Sequence, residues 1–329
     1  MPAVSNITLK SNTSMGSPPR FSRSAAHPDL QAIQSALMGH DWPRLADFFN
    51  GLPDQNTRSL AYRILADVNG KGTDEFLAKA ARNETGSTVA RTFYATSLIY
   101  RGWEARGGAW GKYVSRAQFA SLHNYHRHAE SVLVAATADD PGNASAWTAM
   151  LDTARGLQLG QAEARRRYEH AIMADPNHFR AQALLLGQLA PKWGGSWDAM
   201  HAFATECLHS CPDGGLSAAL VVDGHLERWL GLKRGWSALR YLRQSRVREE
   251  IHLAAERSVL HKSFKKTYGW VPVHSSFAMA LSLIGDYSAA AVHFRALGNY
   301  ANRVPWAYLG NPTTKFVEHR TRALRHSKA

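Results

Sequence analysis

The stretch from Trp147 to Pro176, WTAMLDTARGLQLGQAEARRRYEHAIMADP, reads as two helices joined by a turn. Trp147, Leu151 and Ala154 recur at the three- and four-residue spacing that gives a helix one apolar face. Gly160 supplies a turn, and Ala164, Tyr168 and Ala171 then resume the periodicity. Pro176 closes the unit, because a proline cannot continue a helix. The same offsets precede two other prolines: Ala129, Leu133 and Ala136 before Pro141, and Met200, Ala204 and Cys207 before Pro212. Copies about 35 residues apart have the period of stacked helical hairpins.

Outward from this unit, Phe179, Leu185 and Leu189 mark a first helix, Gly194-Gly195 a turn, and Met200, Phe203 and Cys207 the second helix of the next copy. A further copy comes late. Phe277, Ala278 and Leu281 precede a Gly285-Asp286-Tyr287 turn, Ala290, Phe294 and Leu297 follow, and Asn302 stands where the closing proline would be. Upstream, a long helix from about Ser115 to Ala138 replaces a regular hairpin, and the stretch from Pro28 to Gly108 carries further helical periodicity. No stretch shows sustained strand alternation, so the expectation is an all-α chain of antiparallel hairpins stacked as an α-solenoid. Its expected organisation is a disordered leader at 1–27, an N-terminal helical region at 28–108, repeats at 109–215, a basic helical insert at 216–273, a repeat-like hairpin at 274–302 and a basic tail at 303–329.

These units resemble tetratricopeptide repeats, best over Trp147 to Pro176, although the Leu-Gly pair usual in the first helices is absent. The strings Trp103-Glu104-Ala105-Arg106-Gly107 and Pro191-Lys192-Trp193-Gly194-Gly195-Ser196 are similar to those of a bacterial tetratricopeptide-like family of unknown function. The resemblance implies a helical, cytoplasmic, bacterial protein and carries no activity.

Composition narrows the classes. Among 329 residues, 45% are hydrophobic and 20% charged, as in globular proteins. No apolar run approaches the ~20 residues needed to span a bilayer, so no membrane insertion is expected. The two cysteines, Cys207 and Cys211, read as reduced thiols, Cys207 packed in a helix interface. The net charge of +13 concentrates in Arg228 to Lys266 and in the tail after Lys315, which suits an acidic partner or nucleic acid, or else a solvated helix surface.

Candidate sites follow from these features. Lys192 and Trp193 in the PKWGGS loop offer a charge and a stacking surface, although turn chemistry alone explains most of that loop. On the first helices of the repeats, Thr148, Asp152, Arg155, Arg180 and Gln182 are expected to face outward toward a bound segment. Glu104 and Arg106 beside Trp103 suggest an ion pair or a ligand contact. Arg240, Arg243 and Arg246, interleaved with Trp229, Trp236 and Tyr241, are the nucleic-acid candidates. His123, His126 and His128 lack a metal-binding spacing, so neither a metal nor another cofactor is expected. No nucleophile elbow, Walker loop or dinucleotide fingerprint occurs. The leading expectation is therefore a non-enzymatic scaffold for a protein or peptide, possibly an acidic one. Nucleic-acid binding through 228–266 comes second and an enzyme with a dispersed active site third; oligomeric state is left open.

Overall fold

The computed structural model describes residues 18–68, 70–83, 87–109, 111–232 and 235–327, and these form an all-helical structure without named strands. The helices are α1 (Pro28–Met38), α2 (Trp42–Asn50), α3 (Gln55–Leu65), α4 (Thr73–Asn83), α5 (Thr88–Arg106), α6 (Arg116–Asp139), α7 (Ala144–Gly156), α8 (Gly160–Ala174) and α9 (Phe179–Gln188). They continue with α10 (Trp197–Ser210), α11 (Leu220–Gly231), α12 (Trp236–Leu242), α13 (Ser245–Arg257), α14 (Trp270–Ile284), α15 (Tyr287–Leu297), α16 (Arg303–Ala307) and α17 (Pro312–His326).

The three prolines act as the sequence suggests. Helices α6, α8 and α10 each end two residues before Pro141, Pro176 or Pro212. The residue between, Asp140, Asp175 or Cys211, has left the helical region, with ψ of 87°, 92° and 129°. That is the restriction a following proline imposes on its neighbour. Entry to the helices is fixed by caps: the Asn143, Ser196 and Asp286 side chains accept the backbone N–H of Ala146, Ala199 and Ala289, and Ser115 with Gln118 forms a reciprocal capping box.

Small residues at the repeat offsets let helices approach closely. Ala129, Ala136, Ala164, Ala171, Ala204 and Ala290 are all fully buried, as are Leu133 and, within a few per cent, Tyr168, Met200 and Cys207. Within the hairpins α5 packs on α6, α7 on α8 and α14 on α15, while the first helices pack in succession, α5 on α7 and α7 on α9. The basic insert contributes α11, α12 and α13, and its Leu226, Leu242, Ile251 and Val259 join the same apolar cluster as the repeats.

Helix α3 holds an unexpected position: it packs on α5, α7 and α9 together. Ser59 reaches Ser145 and His178 at 2.9 and 3.0 Å, and Gln55 donates to the Gly142 carbonyl at 2.9 Å. The Asp175 carboxylate accepts the Asn56 backbone N–H at 3.2 Å. The N-terminal region thus covers much of the face that a tetratricopeptide-like reading reserves for a partner. Thr148 and Asp152, expected to point outward, are buried there, and Gln182, likewise expected outward, is buried where Ser217 donates to it.

Order also begins earlier than the sequence suggests. Most of the expected leader lies outside the described residues, but Arg20 exchanges backbone hydrogen bonds with Asn299 and Ala301 at 2.7 and 3.0 Å, and Ser24, Ala25 and His27 are buried. Among the described residues no helix is long and apolar enough to cross a membrane.

Two predictions concern the fold. In the PKWGGS loop a Cβ on Gly195 would lie 2.0 Å from the Leu189 carbonyl oxygen, whereas one on Gly194 meets only Gln161 at 4.0 Å and suffers just the left-handed φ of 85°. Gly195→Ala should therefore cost more than about 3 kcal/mol in urea unfolding, and Gly194→Ala about 1–2. Equal costs would contradict this geometry.

The second involves three buried imidazoles. Burial lowers His178 and His274 to about 4, with Lys266 adding to the effect on His274, and burial followed by His274 and His252 lowers His293 to about 3. The unfolded chain takes up these protons near 6.5, so it binds more of them than the folded chain in acid. Stability is full above that pH and falls as pH drops toward 4, by roughly 1–2 kcal/mol per ring at pH 5. Urea midpoints at pH 7.5 and pH 5 should differ accordingly.

Candidate functional site

The two sequence motifs, distant in the chain, meet around Asp152. Helix α5 presents Trp103, α7 presents Asp152 and Arg155, α9 presents Arg180, and the short 3₁₀ turn Pro191–Trp193 presents Trp193. The Trp103 indole N–H donates to Asp152 Oδ1 at 2.9 Å, Arg155 Nη2 donates to the same oxygen at 3.1 Å, and Arg180 Nη2 donates to Oδ2 at 3.1 Å. The Arg155 guanidinium lies 5.1 Å from the Trp103 ring centre and 5.8 Å from that of Trp193, and the two indoles meet edge to face at 6.3 Å. Such contacts add cation–π attraction to the ion pair. Gln161 pins the loop by donating to the Gln188 and Trp193 carbonyls at 2.7 and 2.8 Å.

Glycines make the approach possible. A Cβ on Gly156 would lie 2.1 Å from the buried His126 ring, and one on Gly102 would lie 2.7 Å from it. Their absence lets that ring sit between α5 and α7, edge-on to Trp103 at 5.3 Å.

Beside this cluster is a cavity lined by Ser59, Tyr62, Arg63, Tyr100, Asp152 and Arg180, among others. It offers ≈ 30 Å³ to the centres of water-sized groups, room for about two such groups or one carboxylate. Among the described residues, Asp152 is the only carboxylate in its lining. The guanidiniums of Arg63 and Arg23 stack on Tyr100, at 5.0 and 5.7 Å from its ring centre. Arg63 Nη1, Arg23 Nη1 and Arg155 Nε are all sealed from solvent without an acceptor.

Electrostatics follow from that geometry. Burial pushes the Asp152 carboxyl up, but Arg155 and Arg180, with His126 and Arg63 behind them, hold it at about 2. Burial lowers Arg63 to about 9, and the like charges of Arg23 and Arg180 add to the effect against the opposing pull of Asp152 and Tyr100. Positive charge is in excess here.

The remaining sequence candidates separate. Lys192 turns away from the cluster to pair with Glu227 on α11. Glu104 pairs with Arg101 at 3.5 Å, while Arg106 donates to the carbonyls of Gly107 and Ala109 at 2.9 and 2.6 Å, so the suggested Glu104–Arg106 pair gives way to these partners. Arg240, Arg243 and Arg246 are exposed, but Arg246 is engaged with Glu250 at 2.8 Å. Of the aromatics between them only Trp236 is open to solvent; Trp229 packs on the core, and Tyr241 is held by His225 at 2.6 Å. They do not form a stacking platform. Arg63 and Arg23 carry no motif; the one sequence signal for Arg63 is a charge four residues after Ser59, beside the apolar stripe of α3.

A serine–histidine pair lines the same region without the polarity of a nucleophile and its base. His178 Nδ1 accepts the Ala181 backbone N–H at 3.2 Å, so its proton sits on Nε2 and is donated to Ser59, 3.0 Å away. Ser59 passes its own proton to Ser145 at 2.9 Å.

Comparisons with known protein families, with curated proteins and with solved structures found no match to this chain.

Removing the Asp152 charge leaves Arg63, Arg155 and Arg180 facing one another. Asp152→Asn should destabilise the protein by about 3–5 kcal/mol at neutral pH, as expected when one partner of a buried ion pair is lost. Because the folded carboxyl titrates below its unfolded value of 3.8, its contribution is present above that pH and is lost as pH falls toward about 2. The gap between wild type and variant in urea should narrow over that window, and a gap independent of pH would contradict the assignment.

Proposed function

We propose that this chain is a non-enzymatic helical-repeat protein that binds an acidic segment of another protein, taking one carboxylate of that segment into the arginine cavity. In this reading the hairpins stack in tetratricopeptide fashion. The support is the succession of α5, α7 and α9 and the repeat offsets shared by the buried alanines.

One observation carries the binding reading. Arg63 turns a sealed N–H group without an acceptor beside a cavity whose described lining includes a single carboxylate, Asp152, and Arg23 and Arg155, which stack on the lining residues Tyr100 and Trp103, each hold another. A buried donor left unsatisfied costs about 1–3 kcal/mol, more when charged, and a carboxylate accepting from Arg63 and Arg180 would recover much of it. The cavity's size favours a carboxylate over the larger phosphodiester of a nucleic acid strand. Arg155 and Arg180 retain about a fifth of their side-chain surface, which leaves a path to solvent.

Fluorescence anisotropy with labelled Glu- and Asp-rich peptides tests the proposal. Saturable binding that weakens with salt is expected, with at least a tenfold loss for Arg63→Met and for Arg180→Met, and no loss when Arg240, Arg243 and Arg246 are all changed to Ala. If peptides fail to bind, or bind Arg63→Met as well as wild type, the cluster serves the fold alone. Oligonucleotide binding lost in the triple variant, with a steep salt response, would instead favour the basic insert as a nucleic-acid surface.

A further inference from the structure

A second cluster stands apart from the arginine cavity. His201 on α10, His225 on α11 and Glu250 on α13 each turn one donor atom toward a common point, and the three atoms lie within 4.8 Å of one another. Glu250 Oε2 is 2.9 Å from His225 Nε2 and 3.6 Å from His201 Nε2. Ligands around a tetrahedral ion with bonds of about 2.0–2.2 Å stand roughly 3.4 Å apart, so the carboxylate–imidazole distances bracket that spacing.

The surroundings suit the same geometry. His225 is 1% exposed, and its other nitrogen, Nδ1, lies 2.6 Å from the Tyr241 hydroxyl. A hydrogen bond of this kind on the far nitrogen fixes the ring and directs Nε2 inward, as outer partners of metal-bound histidines do. Arg246 sits across the opening, with Nε 2.8 Å from Glu250 Oε1 and Nη2 3.0 Å from His201 Nε2. A guanidinium can only donate, so His201 Nε2 must present its lone pair. Glu250 and His201 thus give lone pairs to one cation, whose side chain is 74% exposed, while His225 Nε2 donates its N–H to Glu250 Oε2, a proton that a bound ion would displace. The neighbouring Arg228 stacks over the Trp197 and Tyr241 rings, at 5.8 and 5.3 Å from their centres.

We propose that His201, His225 and Glu250 form a three-ligand site for a divalent transition metal ion of the zinc class, with Arg246 as the competing cation. Two imidazoles and one carboxylate favour zinc, cobalt or nickel over magnesium and calcium, which prefer all-oxygen shells. The ion would clip α10, α11 and α13 together and keep a coordination position for water or for a donor from a partner. The site is independent of the arginine cavity and of what that cavity binds.

The test is titration of the full, metal-stripped chain with Co²⁺, read by visible d–d absorption, and with Zn²⁺, read by calorimetry and by the thermal midpoint. One equivalent should bind saturably and raise the midpoint. His201→Ala and Glu250→Gln, checked for folding by circular dichroism, should each weaken binding at least tenfold and abolish the midpoint shift. Both avoid the fully buried His225. Arg246→Ala should bind the ion as tightly as wild type or more tightly, since a positive charge and a competitor are removed. The proposal is overturned if wild type gives no saturable cobalt spectrum, if His201→Ala and Glu250→Gln bind like wild type, or if Arg246→Ala weakens binding.

Discussion

One carboxylate, that of Asp152, ties together the first helices of three successive hairpins. It accepts from Trp103 on α5, from Arg155 on its own helix and from Arg180 on α9. A buried charge is costly unless it is both paired and hydrogen bonded, and this one meets both conditions only when the three helices hold their present register. A shift of α9 by one turn would move Arg180 by about 5 Å and leave the carboxylate short of a partner. Alanine contacts along the hairpins permit close packing in more than one register, since small residues slide easily past one another. The Asp152 network selects among those registers, and with it come the placement of the PKWGGS loop and the shape of the neighbouring cavity.

That network also explains what α3 does. Resting on α5, α7 and α9, it brings Arg63 against Tyr100 and closes the cavity from the side on which a solenoid would be open. Its polar residues are spent on the covered helices: Ser59 on Ser145 and His178, Gln55 on Gly142 and Asn56 on Asp175. A long peptide laid along the first helices would have to displace all of them. A single acidic side chain entering near Arg155 and Arg180 would not. The internal occupant of the groove therefore turns the binding reading from an extended segment toward a point contact.

The helices were legible in the sequence because their signals are local. Apolar spacing, the glycine turns and the three prolines each act within a few residues, and each proline stands two residues past the end of its helix. The candidate site was legible in part. Asp152, Arg155 and Arg180 were marked as outward-facing residues and Trp193 as a loop residue, each separately, because helical periodicity reports a face and says nothing about what covers it. Arg63 and Arg23 could not be found that way; their roles depend on α3 and on residues before Pro28 folding back over distant helices. His201, His225 and Glu250 follow the same rule. They stand 24 and 25 residues apart, far outside any local ligand motif, and only the packing of α10, α11 and α13 brings them together.

The charge of the chain has to be read through these networks as well. A formal excess of +13 invites the picture of a basic surface. Some of the arginine, however, is committed inside: Arg167 is 4% exposed and holds Glu130 and Glu163, and Arg320 is 4% exposed and donates to Gly298 and Asn299. Arg257 donates to the Cys211 carbonyl, where the third repeat ends. Arginine suits such places because its planar fork satisfies several acceptors at once while keeping its charge. Net charge is thus a poor guide to where an anionic partner would bind. The better guide is where guanidinium donors outnumber their acceptors, and around Arg63, Arg23 and Arg155 they do.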